Sequence, residues 1–139
     1  YEVRDLPEGH WESFEFALKQ MKNLTMEEGQ AIYGPIFKNQ IYMVAFHIFA
    51  TDSVRGEQAH FGAHFLPFHT ALTAMYETIV LTITRYHNLP LESTPYWWPF
   101  KDTDQRDILG PEYFGTHPGL GENFEVIDGA FANWTVPSF

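Results

Sequence analysis

From Pro67 to Tyr86, Phe68, Leu72, Met75, Tyr76, Ile79 and Ile83 recur three to four residues apart. That spacing predicts a long helix with one apolar stripe, ended by Asn88 and Pro90. His60 and His64 lie just ahead of it and His69 in its first turn, all three within ten residues. A helix that must bury a stripe beside a cluster of imidazoles leaves few folds open, and makes metal binding the first functional reading.

The rest of the chain is consistent with an all-α, bundle-type domain. Trp11, Phe14, Ala17, Leu18 and Met21 predict an amphipathic helix over about 7–22. Met26 to Gly34 reads as a polar connection, and Pro35 as the start of a second helix. On that helix Phe37, Ile41, Val44 and Ile48 share one face, with His47 at its border. Thr51 to Gln58 reads as a loop, and Phe65-Leu66 as extended, because the residue before a proline is pushed out of the helical region. Residues 90–139 are rich in Gly and Pro and read as an irregular C-terminal third, anchored by Tyr96, Trp97, Trp98, Phe131 and Trp134.

Composition narrows the partners. The 139 residues suit one domain, 1–139, and the 45% apolar content is too high for disorder. A net charge of −10 argues against nucleic-acid and anionic-membrane partners, and no run is long enough to span a bilayer. The absence of cysteine excludes disulfides and thiolate metal sites. Two sequons, at Asn23 and Asn133, would be glycosylated only in a secretory setting, and they tilt an otherwise undetermined localisation toward secretion. The chain opens at Tyr1 with neither an initiator Met nor a signal peptide, so it is expected to be a piece of something longer.

Copper and zinc both take neutral imidazoles from elements that converge in the fold. His69 falls in the first turn of the 67–86 helix, where the positive helix end favours the neutral ring. His60 can fold back beside it, and His47 comes from the preceding helix. The competing reading is three partly buried histidines satisfied by backbone carbonyls. His64 is placed around the site or in a structural role, since Gly62 and Pro67 argue against a helical His60-x-x-x-His64 pair. His10 and His87 carry no spacing signal, and His117 stands in a loop able to reach a site. Asp52 and Glu57 read as solvated, whereas Glu77, two turns past His69, reads either as a partly exposed carboxylate or as a group that orients another in the core.

The pattern His60-x8-His69 with Phe65-Leu-Pro-Phe-His69 and Tyr76-Glu77 resembles the first copper motif of the tyrosinase family, which includes catechol oxidases and molluscan haemocyanins. Gln40 to His47 is similar to the helix that supplies that family's first ligand. Leu91 to Trp97 and Val126 to Trp134 follow in the family's order, so the resemblance covers nearly the whole chain. It implies that His47, His60 and His69 hold the first of two copper ions, with no catalytic residues beyond the ligands. It further implies a second copper site, dioxygen and a phenol or o-diphenol oxidised to a quinone. The departures are Thr70 for an Arg, Phe68 for a Trp, and Trp98 for an Asp. No second triad is available among His10, His64, His87 and His117, so the chain is expected to hold half a dicopper site. A partner chain, a missing segment, or a second copy in a symmetric dimer would complete it. The alternatives are a haemocyanin-like dioxygen binder and an interaction module that has lost copper.

Overall fold

Four helices carry the fold, and no strand occurs among the described residues. The computed structural model describes residues 1–52, 56–57, 59–101, 107–116 and 125–134. The chain is mainly helical, as its periodicity predicts. It clusters into two compact units, Glu8–Thr94 and Tyr1–Pro7 with Pro95–Ser138. No helix of the described residues is long and apolar enough to cross a membrane.

In the first of these units, helix α1 (His10–Asn23) buries Phe14, Ala17, Leu18 and Met21 at the expected helical spacing. Helix α2 (Met26–Tyr33) occupies the stretch read from sequence as a polar connection. The reason is a capping box at its start. The Thr25 hydroxyl accepts from the Glu28 N–H at 3.2 Å, and the Glu28 carboxylate accepts from the Thr25 N–H at 2.9 Å. Gly29, in the middle of α2, is needed for packing, because a Cβ there would collide with the Phe37 ring. Phe37 is fully buried against it and stacks on Tyr33 at 5.6 Å.

Helix α3 (Gln40–Ala50) begins five residues later than Pro35, where the Asn39 side chain accepts from the Tyr42 N–H at 3.0 Å. Phe37 therefore lies outside the helix. The buried residue of α3 is Met43, while Ile41 and Ile48 stand about half exposed. Ile41 and Ile48, on the apolar face read from the sequence, are thus turned toward solvent.

Helix α4 runs from Phe65 to Tyr86. It starts two residues before Pro67, so Phe65 is helical rather than extended. Pro67 is tolerated as the third helical residue, because no N–H in the first turn has an intrahelical acceptor. The helix stops where the sequence places the stop. Asn88 takes a left-handed φ of 54°, Leu89 N–H reaches Thr84 O at 2.9 Å, and Asn88 N–H reaches Arg85 O at 3.1 Å, a Schellman closure. Ile79, Val80, Ile83 and Thr84 are buried where α4 packs on α1 and α2. At this end the Tyr33 hydroxyl donates to Gln20 Oε1 at 3.2 Å and accepts from His87 Nε2 at 2.9 Å.

In the second unit, a parallel bridge joins Glu2 to Tyr96, with Val3 N–H to Tyr96 O at 2.9 Å and Tyr96 N–H to Tyr1 O at 3.0 Å. The buried Glu2 carboxylate accepts from Arg4 Nη2 at 2.8 Å and from the Arg4 and Trp98 N–H groups. Phe114 stacks on Phe131 at 5.1 Å, and Phe131 meets Trp134 edge-on. Only short turns of 3-10 helix occur here among the described residues, in line with an irregular region. The rings of Tyr96, Trp97 and Trp98 are about half exposed, so they are not the core anchors expected from sequence.

Candidate metal centre

Three imidazoles from three places in the chain meet in the Glu8–Thr94 unit. His47 sits in the last turn of α3, His60 in the bend before α4, and His69 in the second turn of α4. One ligand atom from each lies within 4.8 Å of the others. Ring centroids are 5.0 Å apart for His47 and His60, 5.6 Å for His47 and His69, and 5.8 Å for His60 and His69. Imidazole nitrogens that share one ion at about 2.0–2.1 Å stand roughly 3.3 Å apart, so small side-chain adjustments would suffice for the three to hold a metal. Among the described residues this is the one such cluster of three or more metal-ligating side chains.

The surroundings suit metal binding. A carbonyl can only accept, so the His69 Nδ1–H donates to Phe65 O at 2.9 Å and leaves Nε2 with its lone pair. That bond runs back one turn along α4, which is why His69 needs the helix to begin at Phe65. Burial holds the His47 pKa below the ordinary 6.5, with His60 and His69 beside it adding to the effect and Glu57 opposing it. A neutral ring is the form a metal takes. Phe68 lies against His47 at 6.0 Å and meets His69 edge-on at 5.2 Å, while Phe46 stacks on Phe68 at 5.9 Å. These rings give the site an apolar wall.

Other residues singled out in the sequence fall as follows. His64 is exposed at the end of a 3-10 turn, outside the triad. The Glu77 carboxylate, half-buried, accepts from the Thr94 N–H at 3.0 Å and its hydroxyl at 3.3 Å. It thereby pins the segment that follows α4. His10 faces Glu8 O at 3.4 Å, and His87 is held by Tyr33. His117 lies outside the described residues. Asn23 ends α1 and is exposed, and the hydroxyl of its sequon Thr25 is engaged in the α2 cap. Asn133 is exposed with φ 59°, and Thr135 of its sequon lies outside the described residues.

The group that sequence reading missed is Glu57. Its Oε1 accepts from the Ala59 N–H at 2.7 Å and the His60 N–H at 2.8 Å, so it is not simply a solvated loop carboxylate. The sequence signal was its place three residues before His60.

A family model described as the common central domain of tyrosinase matches residues 37–138. The chain belongs to the tyrosinase family. The match takes in all three histidines of the cluster, and the family implies copper there. No match is found among curated proteins or among solved structures.

Proposed function

We propose that this chain is the first-copper half of a tyrosinase-like oxidoreductase, with His47, His60 and His69 as the ligands of one copper ion. The observation that carries the reading is the convergence of those three imidazoles in a member of this family. Copper bound there would supply a one-electron couple and coordination positions open to dioxygen. The chain's own residues prepare that site. The Phe65 carbonyl fixes the tautomer of His69, burial keeps His47 neutral, and Phe68 shields both rings from water.

The second copper and its histidines come from a partner chain or a further segment of the same polypeptide. In support, apolar side chains stand exposed around the triad, notably Phe49 at 60%, Phe61 at 76% and Leu66 at 71%. Exposed apolar clusters of this kind mark surfaces that another body covers. The assembled pair would oxidise phenols or o-diphenols to quinones with dioxygen.

Metal analysis after copper loading, followed by oxygen-electrode assay with a catechol, tests the proposal. About one copper per chain, no oxygen uptake by the chain alone, and uptake once the second half is supplied are expected. Reversible dioxygen binding with negligible turnover would replace the enzyme with a haemocyanin-like carrier. Failure to retain copper would leave an interaction module.

A further inference from the structure

The Glu57 carboxylate is only half used. Oε1 accepts two backbone N–H groups, but Oε2 is buried and accepts no hydrogen bond among the described residues. Leaving a buried acceptor empty is costly, and more so when it is charged. Such an atom is free to accept from a donor brought within reach. His60 Nδ1 lies 3.8 Å from it, under an ångström beyond hydrogen-bonding reach.

His60 is also the triad member that most needs holding. Its side chain is 42% exposed, and its ring has no hydrogen bond among the described residues, whereas His69 is oriented by Phe65 O. Metal-bound histidines nearly always donate their second N–H to a carboxylate or carbonyl, which fixes ring and tautomer together.

We propose that Glu57 is a positioning residue of the metal centre. When metal enters, Oε2 accepts the Nδ1–H of His60, and that bond aims Nε2 at the ion. The proposal rests on the reading of the triad as a metal site. The same carboxylate, by its Oε1, shapes the bend that carries His60, so one side chain sets both the backbone and the ring of this ligand. Its negative charge also offsets that of a divalent ion more than that of a monovalent one.

Glu57→Gln separates the two roles. The two backbone donors need an oxygen, so the glutamine turns its carbonyl to them and sets its NH2 against the His60 Nδ1–H. Backbone shape is kept and the ring acceptor is lost. Copper affinities of the full chain, measured by chelator competition, are expected to fall about 10–100-fold for Cu(II) and less for Cu(I). Nitrogen-15 NMR of histidine-labelled, Zn(II)-loaded protein should show metal on Nε2 of His60 and a slowly exchanging Nδ1–H. That proton signal should vanish in Glu57→Gln while the far-ultraviolet circular dichroism is unchanged. Wild-type copper affinities in Glu57→Gln, or metal on Nδ1 of His60, would overturn the proposal. His60→Ala is the control for the site itself. If wild type binds while His60→Ala does not, the triad stands whatever Glu57 does. If wild type binds neither metal, the triad reading and this proposal fall together.

Discussion

Two kinds of histidine occupy the Glu8–Thr94 unit. At the C-terminal end of α4, His87 shares a 2.9 Å hydrogen bond with Tyr33 and packs edge-on against Phe16 at 4.9 Å. At the N-terminal end, His47, His60 and His69 face one another, with a single backbone carbonyl serving His69. The first arrangement satisfies an imidazole with the chain's own groups. The second brings ring nitrogens from three parts of the chain toward one another. The two differ in the number of ring nitrogens that make a hydrogen bond among the described residues. The same contrast runs along α4. Its C-terminal half buries Ile79, Val80, Ile83 and Thr84, while around its start Phe65 and Leu66 remain exposed. A helix with one end locked in a core can hold its other end in a fixed place for a metal.

The largest effect should come from exchanging the two kinds of histidine. His69→Ala removes a proposed ligand, and copper affinity should fall by more than the roughly 10–100-fold that losing a surrounding partner costs. His87→Ala should leave copper affinity unchanged and lower the melting temperature instead, because Tyr33 loses one of its two hydrogen-bond partners. Chelator competition and thermal unfolding on both variants read this directly. Equal loss of copper in the two would erase the distinction.

Next in size is the core end itself. Phe37 is fully buried on the Gly29 backbone and stacked on Tyr33. Phe37→Ala should cost about 3–5 kcal/mol in denaturant unfolding, as large aromatic truncations do. Below its lowered melting point the folded variant should still bind copper, since no ligand touches Phe37 in the ring contacts of the triad.

How much of this was legible beforehand follows from the range of each signal. The 67–86 stripe, its stop at Asn88 and the spacing of His60 and His69 are local patterns and could be read from the sequence. The choice of His47 rested on both position and family resemblance. Helix α2 was missed although Thr25-x-x-Glu28 is a cap signature, because charged residues over 26–34 masked it. Ile41, Val44 and Ile48 keep their helical spacing on α3, but Phe37 precedes the helix and does not share their face. Glu57 was passed over for a different reason. Whether a loop carboxylate is solvated or enclosed depends on the chain folding over it, which no local pattern records.

Glu2 gives the counterpart to Glu57, a carboxylate with its acceptors used. Bonding to the Arg4 side chain, foremost, lowers its pKa from 4.5 to about 2, reinforced by the Arg4 and Trp98 N–H groups and opposed by burial. Because the folded pKa is depressed, its stabilisation is present above 4.5 and drains away as pH falls toward 2. Acid titration of unfolding stability should show that slope in wild type and a shallower one in Glu2→Gln, which has no charge to lose. The affected probe should be the surroundings of Trp98, read by tryptophan fluorescence, and copper affinity at neutral pH should not move.

The smallest effect sharpens the comparison most finely. The Thr25 hydroxyl and N–H together hold the exposed Glu28 carboxyl below its ordinary range, the hydroxyl being the larger cause. Thr25→Ala removes the hydroxyl from the box and should cost about 1 kcal/mol. The change is confined to the first turn of α2, which carries no ligand but presents Gly29 to Phe37. If the two ends of the unit are independent, amide hydrogen exchange should quicken in α2 and leave α3 and the start of α4 as they were. Their effects on stability and on copper affinity should then add when Thr25→Ala is combined with Glu57→Gln. A loss of copper affinity in Thr25→Ala alone would mean that the core end does more than anchor α4, and that the triad geometry is set through α2 and Phe37 as well.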